Sequence, residues 1–143
     1  MSTRCIVKVH DPEAENQTDC PVMLYHHRDG NPDFMLPKIK RFLEASHAYL
    51  VEKWYDTAWN SLMVAALFII MSVEDHSDPL MPYSTDRPDY SSIPFEPCRA
   101  NNGLPEFLPC AVLPEGLEFI YDVWLSPVPG CFRIEHQAVD PKQ

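Results

Sequence analysis

The residues that could do chemistry are most concentrated at positions 25–32, which read Tyr-His-His-Arg-Asp-Gly-Asn-Pro. If the apolar residues before them form a strand, His26 and His27 point to opposite faces, so only one of them can join a given site. A hydrolytic or metal site would also need a carboxylate to orient the imidazole. Its candidate ligands are His27, Asp29 and a third histidine, either His10 or His136. The alternative is that the Asp-Gly pair only forms a turn whose carboxylate bonds to nearby backbone amides.

The patterns typical of nucleophilic or nucleotide chemistry are missing from the sequence. A catalytic cysteine or serine needs a neighbouring base, and His76 lies near none of the cysteines expected in loops, Cys20, Cys98 and Cys110. No Gly-x-Ser-x-Gly pattern occurs, and four glycines leave no phosphate-binding loop. We therefore expect a protein without catalytic activity and without a cofactor.

Net charge indicates the kind of partner. The chain has 21 acidic and 11 basic residues, which gives a net charge of -10. Because such a protein is repelled by phosphate backbones, direct binding to nucleic acid is disfavoured, whereas a protein with a basic surface is attracted. We expect the acidic surface to lie mainly in the proline-rich stretch 77–109 and at the acidic end of the helix before it. The predicted partner-binding residues are Asp75, Asp78, Tyr83, Asp86, Asp89, Tyr90 and Glu96.

Aromatic residues outside that stretch allow two interpretations. Tyrosine and tryptophan anchor many protein interfaces, and they also fill the cores of small α+β domains. Trp54 and Tyr55 stay undecided between the two. We expect Trp59 and Trp124 to belong to the core.

The elements that must position these residues can be predicted from apolar periodicity. Residues 3–10 and 21–26 alternate like two strands of a hairpin, and 117–125 and 131–136 predict a second hairpin with a proline-glycine turn. Pro37 suits an early helical position, and this helix should end near 46–49 or continue toward Trp54. A second helix should start with Asp56 or Thr57 as its cap and extend to Glu74.

The stretch 77–109 contains seven prolines and predicts a long loop, followed by one more short strand at 110–113. This order of elements predicts an α+β fold in one domain, 1–143. An antiparallel sheet of four to five strands would have two helices packed on one face. Within the domain, 1–76 would hold the first hairpin and the helices, 77–109 the acidic loop, and 110–143 the final strands.

Cysteine usage and hydropathy predict the compartment. Five scattered cysteines without metal-binding spacing, and no signal peptide, are typical of a reduced cytoplasmic protein. The apolar run 62–71 is too short for a membrane span, which needs about 20 residues. We expect it to be a buried helix.

Several short motifs resemble those of a group of small uncharacterised proteins from phages and bacterial mobile elements. They are the opening Met-Ser-Thr-Arg before a strand, the Tyr-x-His-x-Asp-Gly-x-Pro turn at 25–32, Asn60 with Ala65-Ala66 in the second helix, and the strand Glu118-Phe119-Ile120-Tyr121. The chain departs from the pattern at Asn31, where an aromatic residue is usual, at 33–35, and by an insertion at 78–109. The resemblance implies an accessory protein that acts in the cytoplasm of a bacterial host cell.

The leading hypothesis is therefore a non-catalytic inhibitor from a phage or mobile element. Its acidic surface would bind a bacterial protein or complex with a basic surface, of the kind that a nucleic-acid-binding, CRISPR-like defence complex presents. One alternative is a metal-dependent or small-ligand site at the turn that contains His27 and Asp29. Another is a structural component that forms a homo-oligomer.

Overall fold

The computed structural model describes residues 3–12, 20–73 and 105–139 of the 143-residue chain. These residues form a five-stranded sheet with two helices, which confirms the predicted α+β class. The strands are β1 (Cys5–His10), β2 (Val22–His26), β3 (Phe107–Cys110), β4 (Phe119–Leu125) and β5 (Phe132–Ala138). Their order across the sheet is β3-β2-β1-β4-β5.

The sheet is mostly antiparallel, with one exception at its centre. The pairs β1–β2, β2–β3 and β4–β5 are antiparallel, whereas β1 and β4 are parallel, with Cys5 opposite Phe119. The expectation of an antiparallel sheet holds for the sequence-adjacent pairs β1–β2 and β4–β5, because adjacent strands usually form hairpins. The β1–β4 pair joins distant parts of the chain, and alternating apolar residues carry no information about relative direction.

Helix α1 spans Pro32–Glu52 and begins earlier than predicted. The carbonyl of Asn31 accepts hydrogen bonds from the amides of Phe34 and Met35, at 3.2 and 2.9 Å. Pro32 therefore occupies the first turn, where a missing N–H has no consequence. Pro37 lies inside the helix rather than at its start, and the helix continues toward Trp54, the longer of the two predicted ends.

Helix α2 spans Ser61–Val73, and the prediction that Asp56 or Thr57 caps it is wrong. Those residues belong to a short 3-10 helix, Asp56–Ala58. The cap is Asn60, whose Oδ1 accepts a hydrogen bond from the Met63 amide at 2.9 Å. Asp11 adds a second acceptor, since its Oδ1 lies 2.7 Å from the Ser61 amide nitrogen. Both contacts satisfy N–H groups that the first turn of a helix leaves free.

β3 lies where the sequence predicted the end of the long loop, just before the predicted strand at 110–113. Residues 77–104 of that loop lie outside the described residues. β3 is an edge strand that pairs with β2, and edge strands tolerate proline, which explains Pro109. Phe107 is fully buried and fixes the strand against the core.

Both helices pack on the same face of the sheet. Along β1 this face carries Cys5, Val7 and Val9. The rings of Phe42 in α1, Phe68 in α2 and Phe107 in β3 meet at centroid distances of 5.3 to 5.5 Å. The main apolar core is therefore shared by the sheet and both helices.

Among the described residues, neither helix combines the length and apolarity that crossing a bilayer requires.

Candidate protein-binding surface

The sheet has two ends with different chemistry. The turn end is where β2 finishes and residues 27–31 lead into α1. The hairpin end is where residues 126–131 connect β4 to β5. Each predicted site residue can be assigned to one of these ends or lies outside the described residues.

All seven predicted partner-binding residues, from Asp75 to Glu96, lie outside the described residues, but the two points that flank their segment are defined. Ser72 in the last turn of α2 uses its Oγ to accept hydrogen bonds from the amides of Glu106 and Phe107, at 3.0 and 3.3 Å. The same hydroxyl donates to the Ile69 carbonyl at 2.8 Å. The chain thus leaves and re-enters the described fold at one place, at the turn end.

A partly buried polar cluster holds this place together. Glu106 Oε2 lies 2.7 Å from Lys38 Nζ and 3.1 Å from His26 Nε2. Burial lowers the pKa of His26, and this effect outweighs the hydrogen bond to Glu106, which raises it. We therefore assign His26 as a neutral imidazole whose Nε2–H donates to Glu106. The cluster joins β2, α1 and the start of β3.

The Asp-Gly pair in the turn serves packing. Asp29 has a left-handed φ of 51°, and Gly30 is buried, with its amide 3.0 Å from the Thr3 carbonyl. The Gly30 carbonyl accepts a 2.6 Å hydrogen bond from the Tyr121 hydroxyl. A Cβ at position 30 would lie 2.8 Å from the Thr3 oxygen and 2.9 Å from the Cys5 Cβ. The observations thus favour the turn interpretation, with contacts made by the Gly30 backbone.

The structure does not bring the alternative metal ligands together. In the β1–β2 register Cys5 is opposite His26, so His10 lies five residues further along β1, about 17 Å from the turn. His10 instead bonds to Asp122 at 2.7 Å and stacks on Trp124. His27 is exposed, and its Nδ1 forms a 2.9 Å hydrogen bond with the Tyr25 hydroxyl.

The other candidate, His136, stacks on Tyr121 from β5. Within the described ranges, no three His, Cys, Asp or Glu residues are placed to hold a metal ion. The most buried thiol there is also unreactive, because burial raises the pKa of Cys5 to about 12.

The hairpin end exposes a group of apolar side chains that we call the aromatic corner: Val51, Trp54 and Tyr55. Trp54 is 94% exposed, Tyr55 55% and Val51 50%. They follow one another where α1 ends and the chain turns toward α2. The carbonyl of Leu50 accepts the Tyr55 amide at 2.8 Å, and that of Val51 accepts the Trp54 amide at 3.1 Å.

These two hydrogen bonds form a Schellman motif, a helix end in which the residue after the cap is left-handed and is usually glycine. Here the residue is Trp54, with φ 58°. A side chain in that conformation costs about 1–2 kcal/mol, and the indole is also left in water. The left-handed turn ends the helix and satisfies two of its carbonyls, but the 94% exposed indole adds little buried area to the fold.

The aromatic corner has acidic neighbours. Glu52 lies within it in sequence and Asp56 follows it, and both are exposed, whereas its basic neighbour Lys53 is partly buried. The α1–α2 connection lies at the hairpin end, since Trp59 Nε1 donates to the Cys131 carbonyl at 3.2 Å. β1 finishes at the same end.

The predicted positions of the tryptophans can now be compared with the structure. Trp59 is 5% exposed, which confirms its place in the core. Trp124 is half-buried on the face opposite the helices, between His10 and the guanidinium of Arg133. The sequence left undecided whether Trp54 belongs to the core or to an interface. A usable signal was that no glycine or asparagine follows the apolar pattern at the end of α1, so another residue must take the left-handed position.

Taken together, the described residues form an α+β domain with a partly buried polar cluster at the turn end and the exposed aromatic corner at the hairpin end. No family model, curated protein or solved structure matches the chain.

Proposed function

We propose that this chain is a non-catalytic binding protein that inserts Trp54 into an apolar pocket of a partner with a basic surface. The observation that carries the proposal is the left-handed, 94% exposed Trp54, with the exposed carboxylates Glu52 and Asp56 two residues away on either side. An outlier of this kind destabilises the fold and is typical of functional sites. Tryptophan is also among the residues most enriched at binding hot spots.

Electrostatics support a basic partner. The whole chain has a net charge of -10, and residues 74–104 contain six acidic and two basic residues. Such a field accelerates association with a positively charged protein and penalises partners of like charge. Since proteins that hold nucleic acid have basic surfaces, binding there would compete with nucleic acid.

The more specific form of the proposal is the phage-type inhibitor implied by the motif resemblance. In this form the protein acts in the cytoplasm of a bacterial host cell and blocks a nucleic-acid-binding defence complex of the CRISPR kind. The acidic residues between Asp75 and Glu96 then contact the basic surface that the nucleic acid would occupy. Trp54 anchors the hairpin end of the sheet.

The test begins with tagged full-length protein in nuclease-treated lysate of a bacterial host, followed by mass spectrometry of the captured proteins. The matched control for Trp54→Ala is Phe34→Ala, which removes an exposed aromatic residue (60% exposed) from the other end of α1. We expect a stoichiometric partner with wild type and Phe34→Ala, and loss of most of it with Trp54→Ala. A partner retained equally by all three proteins would refute the role of Trp54.

The inhibitor hypothesis needs a second measurement on the purified partner. We expect the wild-type chain to displace a labelled nucleic acid from it in a mobility-shift assay. Reversal of Asp75, Asp78, Asp86, Asp89 and Glu96 to lysine should abolish the displacement. A partner that binds no nucleic acid, or keeps it in the presence of the chain, would contradict inhibition but leave protein binding intact.

The metal-dependent alternative has no described observation in its favour, because His10 and His27 lie far apart.

A further inference from the structure

The two edges of the sheet are protected very differently. The β3 edge is four residues long and contains Pro109, and both features discourage pairing with another strand. The β5 edge is seven residues long and contains no proline. In the part of the chain that the structure describes, no strand pairs with the outer side of β5. A long edge strand without proline is a template for another strand, and its exposed charges, Arg133 and Glu135, restrict which strand fits.

The hydrogen bonds to β4 define which backbone groups of β5 are available. Ser126 donates to the Cys131 carbonyl at 2.9 Å, and Val139 donates to the Glu118 carbonyl at 2.8 Å. Along an antiparallel strand, the backbone N–H and C=O groups of successive residues point to opposite sides. The backbone groups of the odd-numbered residues of β5 therefore point toward β4. The N–H and C=O groups of the even-numbered residues therefore point outward, from Phe132 to Ala138.

Side-chain charge then favours one arrangement for a second copy of the same strand, the one that places opposite charges face to face. Two antiparallel copies must pair even residues with even residues to form hydrogen bonds. If the two-fold axis passes through Arg133 or Glu135, like charges face each other, which is destabilising. If it passes through Ile134, Arg133 faces Glu135 of the second copy, and the reverse, at two non-hydrogen-bonded positions where side chains are closest. These contacts add to the 3.4 Å ion pair that Arg133 Nε makes with Glu135 in its own copy.

We propose that two copies of this chain pair through β5 in this register and form one continuous ten-stranded sheet. Ile134 lies opposite Ile134 of the second copy, and Phe132 lies opposite His136 of the second copy. Each of these hydrogen-bonded pairs contributes two backbone hydrogen bonds. The contact is isologous, so it closes as a dimer and does not continue into a fibre. This inference does not depend on the proposed partner binding.

The first test exchanges the two charges. We expect light scattering of the full-length protein, measured over a range of concentrations, to give a dimer mass. Arg133→Glu should weaken the dimer about tenfold or more, since it places Glu opposite Glu at two positions. The double variant Arg133→Glu/Glu135→Arg should restore dimerisation, because it recreates both attractive pairs in reversed order. Circular dichroism would show that each variant is folded.

The second test measures the register directly. In the proposed dimer Cys131 lies opposite Gln137 of the second copy, at a non-hydrogen-bonded position with Cα atoms about 4.5 Å apart, which suits a disulfide. We expect Gln137→Cys to form a cross-linked dimer under mild oxidation, when two thiols lose two protons and two electrons to added oxidised glutathione. Cys131→Ser in the same variant should prevent this cross-link.

Three outcomes would overturn the proposal. The first is a monomer mass at every concentration. The second is a dimer that tolerates Arg133→Glu, which would place the interface elsewhere. The third is failure of the charge exchange to restore the dimer although the double variant is folded.

Discussion

The two ends of the sheet differ in how they treat polar and apolar side chains. At the turn end, Glu106 is bonded to Lys38 and His26, and Gly30 allows backbone and side chains to approach closely. At the hairpin end, Trp54 is exposed in a conformation that disfavours any side chain. The turn end holds contacts that stabilise the fold, whereas the aromatic corner leaves a large apolar side chain in water. Under the function that we propose, stability and recognition are therefore separated in this molecule.

The largest expected effect is that of Gly30→Ala at the turn end. The new Cβ would meet the Thr3 carbonyl and the Cys5 Cβ at under 3 Å, and both belong to the packed β1. We expect a loss of about 2–4 kcal/mol in the free energy of unfolding, measured by urea denaturation. Gly116→Ala is the control: its φ of 80° also disfavours alanine, but its only close neighbour is the flexible Arg4 guanidinium. A loss of about 1 kcal/mol is expected there, so equal losses would contradict the packing argument.

The second prediction concerns the partly buried polar cluster of Glu106, Lys38 and His26. Glu106→Ala removes the shared acceptor of Lys38 and His26, and we expect it to cost about 2 kcal/mol in thermal or urea unfolding. Glu44→Ala, on an exposed position of α1, should stay within about 0.5 kcal/mol of wild type. If both variants unfolded alike, the cluster would have no special role in stability.

The third prediction is a pH dependence that arises from the same cluster. Burial lowers the pKa of His26 below 6.5, so the unfolded chain binds this proton more readily than the folded one. Stability from this group is therefore complete above pH 6.5 and declines as the pH falls toward the lowered folded-state pKa. We expect His26→Gln to unfold with a weaker dependence on pH than wild type below pH 6.5. Parallel stability curves for the two proteins would exclude His26 as the cause.

The smallest expected effect on stability has the opposite sign. Trp54→Gly relieves the left-handed strain, and part of the gain is offset by the greater freedom of glycine in the unfolded chain. We expect a net gain of about 0.5–1 kcal/mol in urea unfolding, together with loss of partner capture. Trp54→Ala should lose the partner without that gain, because alanine keeps the strain. A Trp54→Gly variant less stable than wild type would show that the aromatic corner supports the fold.

Local features of the fold could be predicted from the sequence, while long-range ones could not. The two hairpins and both helices follow from apolar periodicity, which is a property of a few neighbouring residues. The parallel pairing of Cys5 with Phe119 depends on distant segments and leaves no local pattern. The α2 cap was missed because Asp56, Thr57 and Asn60 are all good caps, and the choice depends on packing of the 3-10 turn that contains Ala58.

The candidate sites follow the same rule. The polar turn at 25–32 was predicted to be either a site or a turn. Its role depends on the close packing of Gly30 against Thr3 and Cys5, which the sequence does not reveal. Glu106 was not singled out, because its partners Lys38 and His26 lie far away in the chain. The exposure of Trp54 results from where α1 ends. The predicted binding residues from Asp75 to Glu96 stay a prediction.

The hydrogen bonds from Glu106 and Phe107 to Ser72 also have an evolutionary consequence. Because these bonds hold the two flanks of the stretch together, insertions or deletions between them leave its attachment to the scaffold in place. Doubling a loop's length costs only about 0.6 kcal/mol. Related proteins could therefore differ in the length and sequence of this stretch while they keep the same scaffold.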